Sequence, residues 1–429
     1  MNLGFIGAGY VGLVSGAMLA SLGHEVTCLD KDHKKISDLK RGIIPIFEPG
    51  LGGYIVDAMH NGHLKFMQDD DLGEVEYDAI FIAVGTPSLA SGAVDLSFVY
   101  DAVLNVAKHT NPKTLIIIKS TVPPGTCEDL TQKLRGIGYM QEIASNPEFL
   151  REGNAIYDFL NPDRIVIGVS SEAAESILRN IYAPLKNQNI ISTDSTTSEL
   201  IKYASNAFLA TKIAFINEMA NLCEKVGADV ETLSLGIGSD HRIGKAFLKA
   251  GPGFGGSCFP KDILGLSHIA KEHEQPCHVI DAVIFSNQNR RQYMVSKISD
   301  ILGPLDEKAI CVLGITFKAG TDDVRSSPAA DIINIMLSQG ARVRVYDPEG
   351  MQNGVALVPS AIFSESAYVA AKDADAVVVL TEWSEFADLD FERLGSVMKK
   401  KIMFDFRNIL PVDTLRNLEF DYYSVGRRS

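Results

Sequence analysis

The chain has 429 residues, 46% hydrophobic and 22% charged, with a formal net charge of −14. That length exceeds one compact core and leads to an expectation of two or three domains. The acidic balance argues against a nucleic-acid partner, which needs a Lys/Arg surplus, yet it permits a local basic pocket for a small phosphorylated ligand.

The chain opens with MNLGFIGAGYVG, an apolar strand without the charged stretch and cleavage site of a secretory signal. No uncharged apolar run reaches the roughly 18 residues of a membrane span. Cysteines at 28, 127, 223, 258, 277 and 311 form neither CxxC pairs nor a disulfide framework. A cytoplasmic protein with reduced thiols and no metal site is therefore expected.

Residues 2–6 form a short strand that runs at once into Gly7-Ala8-Gly9-Tyr10-Val11-Gly12. A helical pattern follows to Gly23, and then HEVTCLD, a second strand ending in Asp30. Strand, GxGxxG, helix, strand and acid in this order are the fingerprint of a dinucleotide site. Gly7 makes the tight turn, Gly9 admits the pyrophosphate to the backbone, and Gly12 lets helix and strand pack closely. Free N–H groups and the positive dipole end of the helix then face the phosphates. Asp30 favours NAD over NADP by bonding the ribose 2′-hydroxyl; Lys31, Lys34 and Lys35 work against that preference. Strands in 77–87 and 114–126 end in small hydroxyl residues, so Thr86, Ser120 and Thr121 are either cofactor contacts or helix-capping turn residues. In IASNPEFLREG, Glu148 and Glu152 share one side if the segment is helical, as a solvated pair or facing the crevice.

A stretch without Pro or Gly then runs from Ser198 to a stop at Gly227, with Thr197 or Ser198 as its cap. Such a helix would be roughly 44 Å long, suited to bridging two domains or packing against its copy in a dimer. Lys202 and Asn206, four apart, lie on one face that continues with Leu209 and Ile213. They are either a polar pair with a task or a lysine reaching past an apolar stripe to water. The loop GPGFGGSCFPKD, 251–262, places a thiol, an amine and a carboxylate together: Cys258, Lys261 and Asp262. Pro260 can open a helix whose free N–H groups favour a thiolate at Cys258. Gly255 and Gly256 leave room for a substrate, and the glycines argue against core burial of the thiol.

The last third repeats strand, loop, helix, strand over 308–348, with Pro328 at a helix start and Gly340 at its stop. Strands in 375–383 and 401–410 extend that sheet. GxGxxG is missing here, so no dinucleotide is expected, though the βαβ loops can hold a mononucleotide; Lys318, Arg325 and Arg407 stand at or after strand ends, as anion contacts or as surface charges. The fold class is α/β: two doubly wound Rossmann-like domains joined by a central helical region with one long helix. The boundaries are 1–195 for cofactor binding, 196–298 for the helical region with the cysteine loop, and 299–429 for the second Rossmann-like domain.

GAGYVG, NPEFLREG, SNAFLA, GPGFGGSCFPKD, FKAGTDDVRSSP and FRNIL, in this order and spacing, resemble the UDP-glucose/GDP-mannose dehydrogenases over essentially the whole chain. The resemblance implies oxidation of a sugar-nucleotide alcohol to a carboxylate with two NAD per turnover. It implies Cys258 as nucleophile, Lys202 and Asn206 as stabilisers of the oxyanion, and Asp262 and Glu148 as the carboxylates for water positioning and base work, with Thr121 in the catalytic group. Cofactor contacts implied are Val11, Asp30, Lys35, Thr86, Thr121, Glu152, Lys261 and Arg325, beside the glycines of the turn. For the sugar nucleotide they are Glu148, Phe149, Leu150, Arg151, Glu152, Lys202, Asn206, Phe247, Leu248, Lys249, Ala250, Gly251, Gly255, Lys318 and Arg407. Arg242 matches an arginine that reaches a neighbouring subunit's substrate site, so a homodimer is implied. The string Cys258-Phe259-Pro260-Lys261-Asp262 points to UDP-glucose as the sugar nucleotide, while Phe406 stands where many relatives have Gly.

Overall fold

A computed structural model describes residues 1–89, 91–186 and 189–427. It divides into two compact units, Met1–Ser205 with His268–His273, and Asn206–Ser267 with Glu274–Ser429.

The first unit is built on eight strands: β1 (Asn2–Ile6), β2 (Glu25–Asp30), β3 (Leu64–Gln68), β4 (Ala79–Ile82), β5 (Leu115–Ile118), β6 (Ile143–Ser145), β7 (Ile165–Gly168) and β8 (Ile190–Thr193). Their spatial order is β3-β2-β1-β4-β5-β6-β7-β8. The first six in chain order pair in parallel; β7 turns antiparallel against β6. The runs AIFI and LIII are apolar throughout because both faces of the sheet are covered. Phe81 and Ile117 enter one core, and Ile80, Ile82, Ile116 and Ile118 enter the other. Strand order reverses between β1 and β4, which opens a crevice at their carboxyl ends.

The second unit carries β9 (Ala309–Leu313), β10 (Arg342–Tyr346), β11 (Ile362–Phe363), β12 (Ala376–Val379), β13 (Ile402–Asp405) and β14 (Asp421–Ser424). They are parallel in the order β11-β10-β9-β12-β13-β14. The same two-sided burial holds: Ile310, Val312 and Val378 face one core, Cys311, Val377 and Val379 the other. Phe406, fully buried, belongs to the first of these cores. The helix Pro328–Ser338 starts with Pro at its first position, as the sequence predicts, and the Ser327 hydroxyl caps it by accepting the Ala329 N–H.

The long helix spans Ser195–Val226, 32 residues, about 48 Å. Its cap differs from the expected Thr197 or Ser198. Asp194 accepts the Thr197 N–H at 2.7 Å, while the Ser198 hydroxyl bonds Ser145 at 2.9 Å in the buried interior. A carboxylate one turn earlier outcompetes the hydroxyls because it faces the positive dipole end. Gly227, at φ 77°, ends the helix as expected. Among the described residues, no helix is long and apolar enough to cross a membrane.

Candidate active site

The turn after β1 is shaped by its glycines. Gly7 has φ 102°, and a Cβ there would lie 2.6 Å from the Ala83 carbonyl; one on Gly12 would lie 1.9 Å from the Gly7 carbonyl. A Cβ on Gly9 would meet nothing within 4 Å. Gly7 and Gly12 are thus required by the chain's own packing, whereas Gly9 faces open space. The helix Tyr10–Ser21 begins at Gly9 with no side-chain cap, leaving its first-turn N–H groups for an anion. At the end of β2 the buried Asp30 accepts the Ala8 N–H at 2.9 Å and the Lys35 ammonium at 2.8 Å. Lys35 is thereby engaged by Asp30 and is not a lone cation at this strand end. Open backbone N–H groups, a vacant glycine face and an acid at the second strand fit the pyrophosphate and ribose of NAD. Thr86 follows β4 and is buried; Thr121 follows β5 and is half-buried, as is Val11. Ser120 is engaged otherwise: its hydroxyl donates to the Val84 carbonyl at 2.7 Å and pins the two strand exits together.

The NPEFLREG segment is not helical, so Glu148 and Glu152 do not share a helix face. Pro147 and the exit from β6 keep the chain extended, and Glu148 turns inward. Its carboxylate accepts the Lys202 ammonium at 2.9 Å and the Leu150 N–H at 2.6 Å; Lys202 also donates to the Glu148 carbonyl at 2.7 Å. The side chains are only 4% and 8% exposed. Burial raises the Glu148 carboxyl, but Lys202, the Leu150 N–H and Lys119 more than reverse it and hold it below the usual range. Phe149 lies beneath the Arg164 guanidinium at 3.7 Å, with the Lys202 ammonium 5.3 Å from the same ring. Arg151 is committed to Asp158 through three hydrogen bonds and is exposed.

Sequence reasoning missed two residues here. Glu48 accepts the Tyr10 hydroxyl and the N–H groups of Gly153 at 2.6 Å and Ala155 at 2.8 Å, joining the glycine turn to the segment that carries Glu152. Lys119, directly after β5, is buried. Its signal in the sequence was a lone cation adjoining the run LIII.

In the second unit, Cys258 immediately precedes the helix Phe259–Glu272, with Pro260 in the first turn. Its carbonyl accepts the Asp262 N–H at 2.9 Å, so Cys258 is the helix cap residue. Its sulfur lies 3.4 Å from the Ser257 hydroxyl. Asp262, 1% exposed, is held between the Asn206 amide at 2.6 Å and the Lys261 ammonium at 2.7 Å. The thiol, amine, carboxylate and amide singled out in the sequence thus gather at one helix start.

The glycines before the thiol have a different cause from the expected one. Residues 251–256 are themselves buried. A Cβ on Gly255 would lie 2.3 Å from the Ser326 carbonyl, and one on Gly256 would lie 2.9 Å from the Phe317 ring. The room they leave is filled by the chain's own 317–326 loop. Cys258 escapes this packing and is half-buried. Upstream, Phe247 occupies φ 63°, a strained conformation for an aromatic residue, and meets Phe259 edge-on at 5.9 Å. Leu248 and Ala250 are buried, and exposed Lys249 between them alternates outward. The Asn217 side chain accepts the Gly251 N–H at 2.8 Å, and the Arg290 guanidinium donates to its carbonyl at 2.9 Å.

Gly251 also lies against Arg407, whose Nη1 is 3.4 Å from where a Cβ would stand. Arg407 donates to the carbonyls of Leu380 at 2.7 Å and Phe317 at 3.0 Å, beside Lys318. The second unit therefore brings together Gly251, Gly255, Lys318 and Arg407 at the carboxyl ends of β9, β12 and β13. Arg325 forms a two-pronged pair with Asp323. Arg242 pairs with Asp240 and extends into solvent.

Three family models match the chain in order: the UDP-glucose/GDP-mannose dehydrogenase family NAD binding domain over residues 1–186, its central domain over 196–289, and its UDP binding domain over 311–412. A UDP-glucose 6-dehydrogenase of Rickettsia conorii is 52% identical over 431 residues, covering 100% of both chains. The solved structure of a UDP-glucose dehydrogenase from Pyrobaculum islandicum is similar at TM-score 0.92 and 36% identity, covering 100% of this chain and 98% of that one. A UDP-D-ManNAc dehydrogenase from Pyrococcus horikoshii reaches TM-score 0.86 at 28% identity, covering 100% and 99%.

Proposed function

The chain belongs to the UDP-glucose/GDP-mannose dehydrogenase family, and on that footing we propose that it is an NAD-dependent UDP-glucose 6-dehydrogenase acting through a covalent bond to Cys258. The observation that carries the covalent reading is the half-buried thiol at the start of a helix, adjoining a buried carboxylate that holds an amide and an ammonium. NAD, held by the Gly7–Gly12 turn and Asp30, supplies the hydride acceptor twice per turnover.

The C6 alcohol loses one hydride and one proton to become an aldehyde. The Cys258 thiolate then adds to that carbon, and the thiohemiacetal so formed again carries a hydride to lose. Its oxidation leaves a thioester, which water cleaves to the carboxylate and the free thiol. In sum, one alcohol and one water yield one carboxylate, two hydrides and three protons. Lys202 and Asn206 present N–H groups to the oxygen at C6 as charge develops on it. Glu148 and Asp262 position water and carry protons. Phe247 to Gly251, Gly255, Lys318 and Arg407 hold the sugar nucleotide, while Thr86, Thr121, Glu152, Lys261 and Arg325 complete the cofactor contacts. The functional division runs 1–195 for cofactor, 196–298 for the long helix and thiol, and 299–429 for the UDP-sugar, in a cytoplasmic enzyme.

Purified protein given limiting UDP-glucose should produce two NADH per sugar. Cys258→Ser should stop acid formation while NAD binding changes by less than about five-fold. One NADH per sugar, or full turnover without the thiol, rules out the covalent route. GDP-mannose and UDP-N-acetylmannosamine assayed alongside should be poor substrates.

The active form is a homodimer in which Arg242 reaches the partner's sugar nucleotide. Supporting this, Phe208, Phe215 and Leu222 recur every seven residues on the long helix and are 67%, 47% and 52% exposed, an unsheltered apolar stripe of the kind that packs against a copy. Sedimentation should give a dimer that Phe215→Asp converts to monomer; a monomeric wild-type enzyme at full activity overturns it.

A further inference from the structure

Lys119, directly after β5, is a cation that the chemistry above does not use. It is 4% exposed, and lysines are almost never so buried without a carboxylate partner. The groups its ammonium bonds are neutral: the Asn146 side-chain oxygen at 3.1 Å and the Tyr182 hydroxyl at 3.4 Å, with the Phe81 ring 5.7 Å away. Asn146 is fixed in turn, accepting from Tyr182 at 2.5 Å and donating to the Val166 carbonyl at 2.8 Å. Asn146 therefore cannot swing away, and the chain leaves it through Pro147 to Glu148. The charged groups that act on Lys119 are Glu148 and Lys202, so two ammonium groups and one carboxylate share this interior.

In such a low-dielectric region, charges act on one another strongly. Desolvation lowers the Lys119 ammonium to about 8, with Glu148 opposing and Lys202 adding to the shift. The influence is mutual, since Lys119 is among the groups that hold the Glu148 carboxyl low.

We propose that Lys119 is a positioning residue for the oxidation: anchored on Asn146, it fixes the chain leading to Glu148 and keeps that carboxylate ionised beside Lys202. The proposal rests on the reading that Glu148 and Lys202 serve the reacting sugar. Removing the Lys119 charge makes Glu148 easier to protonate, so the acid limb of the kcat profile must move to higher pH.

The test compares kcat against pH for wild type, Lys119→Met, Asn146→Asp and Glu148→Gln, with NAD affinity and melting measured on each. Lys119→Met should melt at or above the wild-type temperature and bind NAD within about two-fold, lose about ten-fold in kcat, and shift the acid limb upward by about half a pH unit or more. Asn146→Asp gives Lys119 a carboxylate and cancels its field, so it should shift the limb the same way. That arm decides the matter if the methionine variant does not fold. An unmoved limb in a folded variant overturns the proposal, even where kcat falls. Glu148→Gln separates the two readings. If it abolishes the limb while Lys119→Met leaves it in place, the role of Lys119 alone fails; if it leaves the limb unchanged, the role of Glu148 fails and that of Lys119 with it.

Discussion

Gly7 and Gly9 stand two residues apart and answer to different constraints. The positive φ of Gly7 and its contact with Ala83 make any side chain there a clash with backbone, whereas Gly9 faces open space. Gly9→Ala should therefore leave the melting temperature within about two degrees of wild type and weaken NAD at least ten-fold, because its methyl group occupies the pyrophosphate's approach. Gly7→Ala should lose both stability and binding. Calorimetry with cofactor titration distinguishes them, and equal NAD affinity in Gly9→Ala would remove the pyrophosphate from that face. The glycine motif was legible residue by residue because each position has a mechanical cause within one turn. Lys119 and Glu48 were not, because their partners are Asn146 and Gly153, more than twenty residues away in the chain.

At the scale of elements, the long helix was readable from its uninterrupted pattern and its terminal glycine, and the pair that it carries was not. Periodicity put Lys202 and Asn206 on one face. The inward turn of Glu148, which gives Lys202 its partner, depends on an extended segment after β6 that could equally have been read as helical. Breaking this buried pair from one side leaves an unpaired charge, so Lys202→Met should cost about 3–5 kcal/mol, and adding Glu148→Gln should recover much of it. The sign with pH follows from the lowered Glu148 carboxyl. Its contribution is whole above the ordinary carboxyl value of about 4.3 and is lost as pH falls through the lower folded value. Urea midpoints from pH 7 to pH 3 should show the wild-type advantage over the double variant shrinking only in that acidic window; a constant difference would contradict the ionised pair.

Across the whole molecule, the two sheets repeat one opening turn and then diverge. Gly7 donates to the Leu29 carbonyl at 2.8 Å, and Gly314 donates to the Tyr346 carbonyl at 2.8 Å. The next N–H bonds the acid ending the neighbouring strand: Ala8 to Asp30 at 2.9 Å, Ile315 to Asp347 at 2.7 Å. After that, the first unit enters its helix at once, while the second has no helix until Pro328. Asp347 is also taken up by Thr316, Glu349 and Gly350, so no lone pair is left to select a ribose. A dinucleotide therefore suits the first unit only. Trp383, the single Trp of the chain, donates to the Thr316 hydroxyl at 3.1 Å at this second strand edge. UDP alone should change its emission when excited at the red edge of the band, and NAD alone should not. An unresponsive tryptophan at saturating UDP would move the nucleotide elsewhere.

The amino-acid sequence by itself determined the α/β class, the dinucleotide turn, the long helix and the thiol at a helix start, because each is written in contiguous residues through glycine spacing, periodicity and capping chemistry. Strands β3, β7, β8, β11 and β14 escaped it, being short or mixed in polarity and stabilised by partners on the sheet rather than by their own pattern. Only the tertiary structure decided that residues 251–256 are buried against the 317–326 loop, that Glu148 faces Lys202, and that Lys119 lies sealed behind them. Those outcomes depend on which distant groups share a low-dielectric interior, and burial of a charge is a property of its surroundings, not of the residue that carries it.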